Sequence, residues 1–219
     1  MSEELPVIDS LVGAYADFVS EISKRLDAIA ASFDELTANA EHANAWQNCD
    51  FCWLQIRKIC ELMAVSVVAA HHFDGGHALE TNKWSPKDVL LDIAKMNNHP
   101  TPIPISDNFA DGPNGERQII LSSKAIEMKL ISEIYGRCGD ILHVGSLNRI
   151  LEKKVPAYDL AKMAAWLTGF RRLISNHVLF LPGMKKVLVC WWGGSQRQIF
   201  LMESEGANFV QDDLLDFTF

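Results

Sequence analysis

Two long apolar stripes near the start of the chain decide what it can become. From Val7 to about Asn39, Ile8, Leu11, Val12, Tyr15, Phe18, Val19, Ile22, Leu26, Ile29, Ala30 and Phe33 recur at steps of three and four. That is the period of a helix with one buried face, and Asp9 or Ser10 is placed to cap it. From Asn44 to about Phe73 a second stripe follows, with Trp46, Phe51, Trp53, Leu54, Ile56, Ile59, Leu62, Met63, Val65, Val67 and Val68. Its second half is apolar almost all round, as expected of a central helix. Helices of this length cannot bury their faces alone, so the chain is expected to build a bundle.

The remaining punctuation is read in the same way. Ser85 as cap and Pro86 in the first turn predict a short helix to Asn97. Three prolines at alternate positions, Pro100, Pro102 and Pro104, forbid helix there. Residues Ile103 to Ser106 and Arg117 to Leu121 then predict a hairpin around Asp111-Gly112-Pro113-Asn114-Gly115. A further helix is expected from Ser122 to Leu151, and another from Pro156 to about Phe180. Lys186 to Trp192 and Gln198 to Met202 predict a second hairpin across Gly193-Gly194-Ser195. The fold class that results is mainly α, a bundle of about five helices with two small β-hairpins. Residues 1–182 would be the helical domain, with its hairpin insertion near 102–121. Residues 183–219 would add the second hairpin and an acidic, poorly ordered tail packed on the same domain.

Composition bounds the function. The 219 residues carry a net charge of −8, but unevenly. Residues 1–35 hold eight acids and two bases, 203–219 hold five acids and no base, and the body between is therefore net +3. The acidic ends read as solubilising flanks, or as polyanion mimics shielding a mildly basic body. No apolar run is long enough to span a membrane, and the acidic start lacks a secretion signal. A cytoplasmic protein is expected. The five cysteines are an odd number and read as reduced, buried thiols. Cys49 and Cys52 form one C-x-x-C without a second pair of ligands, so no metal and no cofactor are expected. Phosphate-binding loops, nucleophile elbows and zinc-protease motifs are absent from the sequence.

The stretch Tyr135-Gly136-Arg137-Cys138-Gly139-Asp140-Ile141-Leu142-His143 sets polar and titratable groups into an apolar helical pattern. Gly136 and Gly139 each cost roughly 1 kcal/mol against Ala in a helix interior, which predicts close approach of another backbone. An arginine followed by a histidine six residues later on a long helix resembles the HEPN superfamily, whose members are often metal-independent endoribonucleases of toxin–antitoxin and phage-defence systems. The resemblance implies a homodimer whose two Arg–His helices face one another across an RNA cleft, with an antitoxin-like protein as a further partner. It implies His143 as acid/base and Arg137 as the phosphate-binding cation, with Asp140 and Tyr135 assisting. Cys138 departs from the family, which usually has a polar residue after the arginine. The same spacing recurs at Arg171 and Arg172 before His177. The phrase from Trp53 to Glu61 also resembles a segment of certain bacterial helical proteins.

Each candidate has a plainer counterpart. Arg137, Asp140 and His143 lie at successive i, i+3 steps and would also serve as a structural network. Arg57 and Glu61, at i, i+4, make either an internal salt bridge or a pair that orients His143. Trp191, Trp192 and Arg197 resemble a stacking and cation patch for a base or sugar, although adjacent strand residues face opposite sides. Two functions follow: an RNA-directed protein cutting without metal at Arg137 and His143, or a non-catalytic helical module that binds a protein partner.

Overall fold

The first stripe folds as expected. The computed structural model describes residues 4–38, 45–73, 88–89, 92, 101–111, 117–122, 128–142, 159–181, 186–193, 196–203 and 209–212. Helix α1 (Glu4–Ala38) buries Leu11, Tyr15, Val19, Ile22, Leu26, Ile29 and Leu36. It begins before Asp9 and Ser10, which are therefore interior positions and not caps. Helix α2 (Ala45–Phe73) packs along α1 and buries Trp53, Ile56, Ile59, Cys60, Met63, Ala64, Val67 and Ala70. Trp46, Phe51 and Leu54, expected in the stripe, stand 55%, 37% and 42% exposed instead.

Helix α3 (Met128–Leu142) lies on α2, and α4 (Leu160–Ile174) packs against α1. Four helices are thus seen among the described residues. Of the helix expected over 85–97, Asp88, Val89 and Asp92 are helical and the rest lies outside the described residues. Ser122 closes a strand and so lies outside the helix predicted over 122–151; residues 123–127 and 143–151 lie outside the described residues. Asp159 caps α4, its Oδ1 accepting from the Lys162 backbone N–H at 2.9 Å. Trp166 of α4 meets Trp53 of α2 edge to face, with ring centroids 5.4 Å apart, an arrangement worth about 0.5–1.5 kcal/mol beyond burial.

The two predicted hairpins form: β1 (Ile103–Asp111) with β2 (Arg117–Ser122), and β4 (Lys186–Gly193) with β5 (Gln196–Glu203). They are not separate. The helix predicted to reach Phe180 stops at Ile174, and β3 (His177–Phe180) pairs with β1 on one side and β4 on the other. Val178, Leu179 and Phe180 are buried on both faces, so their run carries no alternation and does not distinguish strand from buried helix. The tail also gives up a strand, β6 (Phe209–Asp212), which runs parallel to β2. One six-stranded sheet results, in the order β5-β4-β3-β1-β2-β6, antiparallel in every pairing except the last. The main core lies between the helices and the face of β3 and β4 carrying Leu179, Leu188 and Cys190. Val178, Phe180, Val187 and Val189 point the other way and form a smaller core with Ile103 and Ile105. No helix among the described residues is long and apolar enough to cross a membrane.

Candidate functional site

Helix α3 divides the predicted site. Ile131, Ile134 and Cys138 turn into the core, while Glu133, Gly136, Arg137 and Asp140 stand exposed. The exposed set falls at i, i+3, i+4 and i+7, a single outward stripe. Arg137 and Asp140 therefore share an open face. Tyr135 does not share it, since two residues turn a helix by about 200°. His143 lies outside the described residues.

Tyr135 instead meets α2. Its hydroxyl accepts from Arg57 Nη2 at 3.0 Å, and the guanidinium carbon sits 4.8 Å from the ring centroid. Arg57 Nε also donates to Glu61 Oε1 at 3.4 Å, and Lys58 Nζ reaches Glu61 Oε2 at 2.7 Å. Partial burial alone would lower the Arg57 pKa, but the Tyr135 and Glu61 contacts outweigh it and raise it. The predicted Arg57–Glu61 salt bridge is thus present, and what it holds is Tyr135. Cys60 and Cys138, both buried, lie near enough to this network to feel its charges. Burial pushes the Cys138 thiol up to about 12, against a smaller pull from Arg57, and raises Cys60 well above the ordinary range. Position 138 faces the core, so a thiol suits it better than the polar residue of the resembled pattern.

Gly136 has nothing within 4 Å of where a Cβ would stand. Among the described residues, the predicted close approach of a second backbone does not occur there.

The Trp191, Trp192 and Arg197 patch is also rearranged. Trp192 and Arg197 are register partners across β4 and β5, but Arg197 Nη2 donates to Ser23 Oγ of α1 at 2.8 Å. Trp191 packs on the smaller core; the Trp192 side chain lies outside the described residues. Arg197 therefore ties β5 to α1 and is not aimed at a ligand on the tryptophans.

The most deeply buried polar side chain among the described residues, that of His177, was visible in the sequence only as the end of the second Arg–His spacing. His177 on β3 is fully buried, and its Nε2 lies 2.9 Å from the Tyr15 hydroxyl of α1. Cys190, its register partner on β4, donates to the Ser175 carbonyl at 3.7 Å. Burial first and the Arg197 charge second hold the His177 pKa down to about 3, against a weaker opposing effect of the Ile174 backbone. Burial likewise raises Tyr15 well above its usual value and Cys190 to about 11. The ring is neutral and closed to solvent. The second Arg–His spacing is accordingly structural: Arg171 bonds the Leu26 carbonyl and Asp27 of α1, at 3.3 and 3.1 Å, while His177 bonds Tyr15. A tyrosine inside an aliphatic stripe was the available signal, because a buried phenol needs a polar partner.

All five cysteines are free and buried, and among the described residues no cluster of three or more His, Cys, Asp or Glu is arranged to hold a metal ion. No protein-family model matches the chain, and comparison with curated proteins and with solved structures returns no match.

Proposed function

We propose that the chain is an RNA-directed, HEPN-like protein that works from the open face of α3. The observation that carries this reading is the exposure of Arg137, which stands in solvent beside Asp140 and is not folded into the Arg57–Tyr135 network. An arginine spent on structure would be bonded along the α2–α3 seam as Arg57 is. An exposed guanidinium on a rigid helix is suited to hold a phosphodiester and the charge that develops on it. His143, six residues on, would move the proton to or from the 2′-hydroxyl or the leaving oxygen. Tyr135, held by Arg57, supports the helix from behind and takes no part. Whatever aligns the arginine with the histidine includes a second copy of α3, because a six-residue step sets two side chains about 120° apart on one helix.

The test is incubation of total RNA with the wild-type chain, Arg137→Ala and His143→Ala in the presence of chelator, after matching their melting temperatures and masses. Cleavage by the wild type alone supports the reading. Intact RNA with the wild type sinks it.

A second reading rests on a separate observation. Trp46, Phe51 and Leu54 leave large apolar side chains exposed on the first half of α2, as a non-catalytic protein-binding module would. Failure of RNA cleavage together with loss of partner binding in Leu54→Asp would favour it.

A further inference from the structure

The sheet ends at β5, whose outer side has no strand partner among the described residues. Gln198 and Phe200 are exposed there, Phe200 by 41%. Eight residues long, β5 is not a stub, and from Gln198 to Met202 it reads Gln-Ile-Phe-Leu-Met with no charge and no proline. Native edges are normally blunted by lysine, proline, a bulge or brevity. The pairing of β5 with β4 runs through eight consecutive register partners without a shift, so no bulge protects it either. Alternate backbone N–H and C=O groups on the outer side are presented in the geometry another strand would take up.

We propose that this edge pairs with the β5 of a second copy, antiparallel and about a two-fold axis at Phe200, to make a sheet continuous across a homodimer. The sequence is what selects a second copy as the occupant. An axis normal to the sheet keeps α1 of both copies on the same side, so a residue must lie on the axis and opposed residues must share a face. With Phe200 there, Phe200 meets itself, Gln198 faces Met202, Ile199 faces Leu201, and Arg197 faces the partner's Glu203 at both ends. Opposite charges, aliphatic pairs and an aromatic pair then coincide in one register. Centring on Ile199 would set Arg197 against Leu201, and centring on Leu201 would set Glu203 against Ile199; neither matches charge with charge. The faces agree as well, since Ile199 and Leu201 line the main core while Met202 lies on the smaller one. The inference does not rest on the RNA reading and uses no residue of α3.

Light scattering or sedimentation of the full chain tests it. The wild type is expected at twice the mass of Phe200→Lys, which sets two like charges against each other on the axis and should still melt cooperatively, so that a separate α3 contact of the RNA reading leaves the comparison intact. Register is tested by oxidation. Phe200→Cys is expected to form an intersubunit disulfide, because directly opposed Cβ atoms lie about 4.5–5.5 Å apart, close to disulfide range. Gln198→Cys is expected not to crosslink, being opposed to Met202, and the native thiols are buried. A monomeric wild type, a Phe200→Lys variant of unchanged mass, or crosslinking of Gln198→Cys in place of Phe200→Cys would overturn the proposal.

Discussion

Replacing His177 by glutamine should flatten the acid side of the stability curve without removing the bond to Tyr15. In the folded chain His177 is fully buried beside Tyr15 of α1, with Cys190 of β4 and the Arg197 charge of β5 close by, and its pKa is held down to about 3. Unfolded, it returns to about 6.5. The unfolded state therefore binds a proton that the folded state refuses, so stability is complete above about 6.5 and falls as the pH is lowered towards 3. The slope inside that window is about 1.4 kcal/mol per pH unit, which gives a loss of about 2 kcal/mol between pH 7 and pH 5 from this one group. Glutamine does not titrate, yet its amide still offers the Tyr15 hydroxyl a partner. Urea unfolding of both proteins at the two pH values isolates the effect, because every other titrating group contributes equally to each. The wild type should lose about 2 kcal/mol more than His177→Gln. Equal losses would refute the reasoning, and would mean that His177 is hydrated or already charged in the folded state.

Three further outcomes are expected. Gly136→Ala, on an exposed helical position with open space around the new Cβ, should raise stability by about 0.5–1 kcal/mol in the same unfolding assay. Asp159→Ala should lower it by about 1 kcal/mol through loss of the cap on Lys162, with Asp159→Ser recovering most of the difference. Thiol titration with a colorimetric disulfide should find no fast-reacting cysteine in the native protein and five in denaturant, since burial lifts Cys138 to about 12 and Cys190 to about 11.

Periodicity carried the helices well. In the α1 stripe Leu11, Tyr15, Val19, Ile22, Leu26 and Ile29 are buried and Val12 and Phe18 partly so, because a long helix on one core repeats a single local rule. It failed where burial is two-sided. Val178 to Phe180 face one core or the other with no polar position between them, and only the antiparallel register with β1 and β4 makes them a strand. Phe209 to Asp212 were hidden for a different reason: their partner β2 is distant in sequence, and no local pattern encodes a parallel pairing. At the site, spacing correctly joined Arg57 to Glu61 but grouped Tyr135 with Arg137, which the helical turn sends to opposite sides. Arg197 was legible as a cation near a turn; that it would reach Ser23 was not, since only the packing of α1 on β5 supplies that partner.

The place of β6 has a consequence for how the chain is made. Its pairing joins Ile119 to Phe209, and β3 joins residue 103 to residue 178. During synthesis the α1–α2 pair has its partners early, from neighbouring sequence, whereas the sheet stays incomplete until Phe209–Asp212 leave the ribosome. Non-local strand pairing of this kind is the slow part of folding, and strands waiting for partners are open to the wrong ones. A nascent chain stopped before Phe209 would display β2 with one side bare, so the four residues of β6 act as the closing stitch of a sheet whose first strand was laid down about a hundred residues earlier.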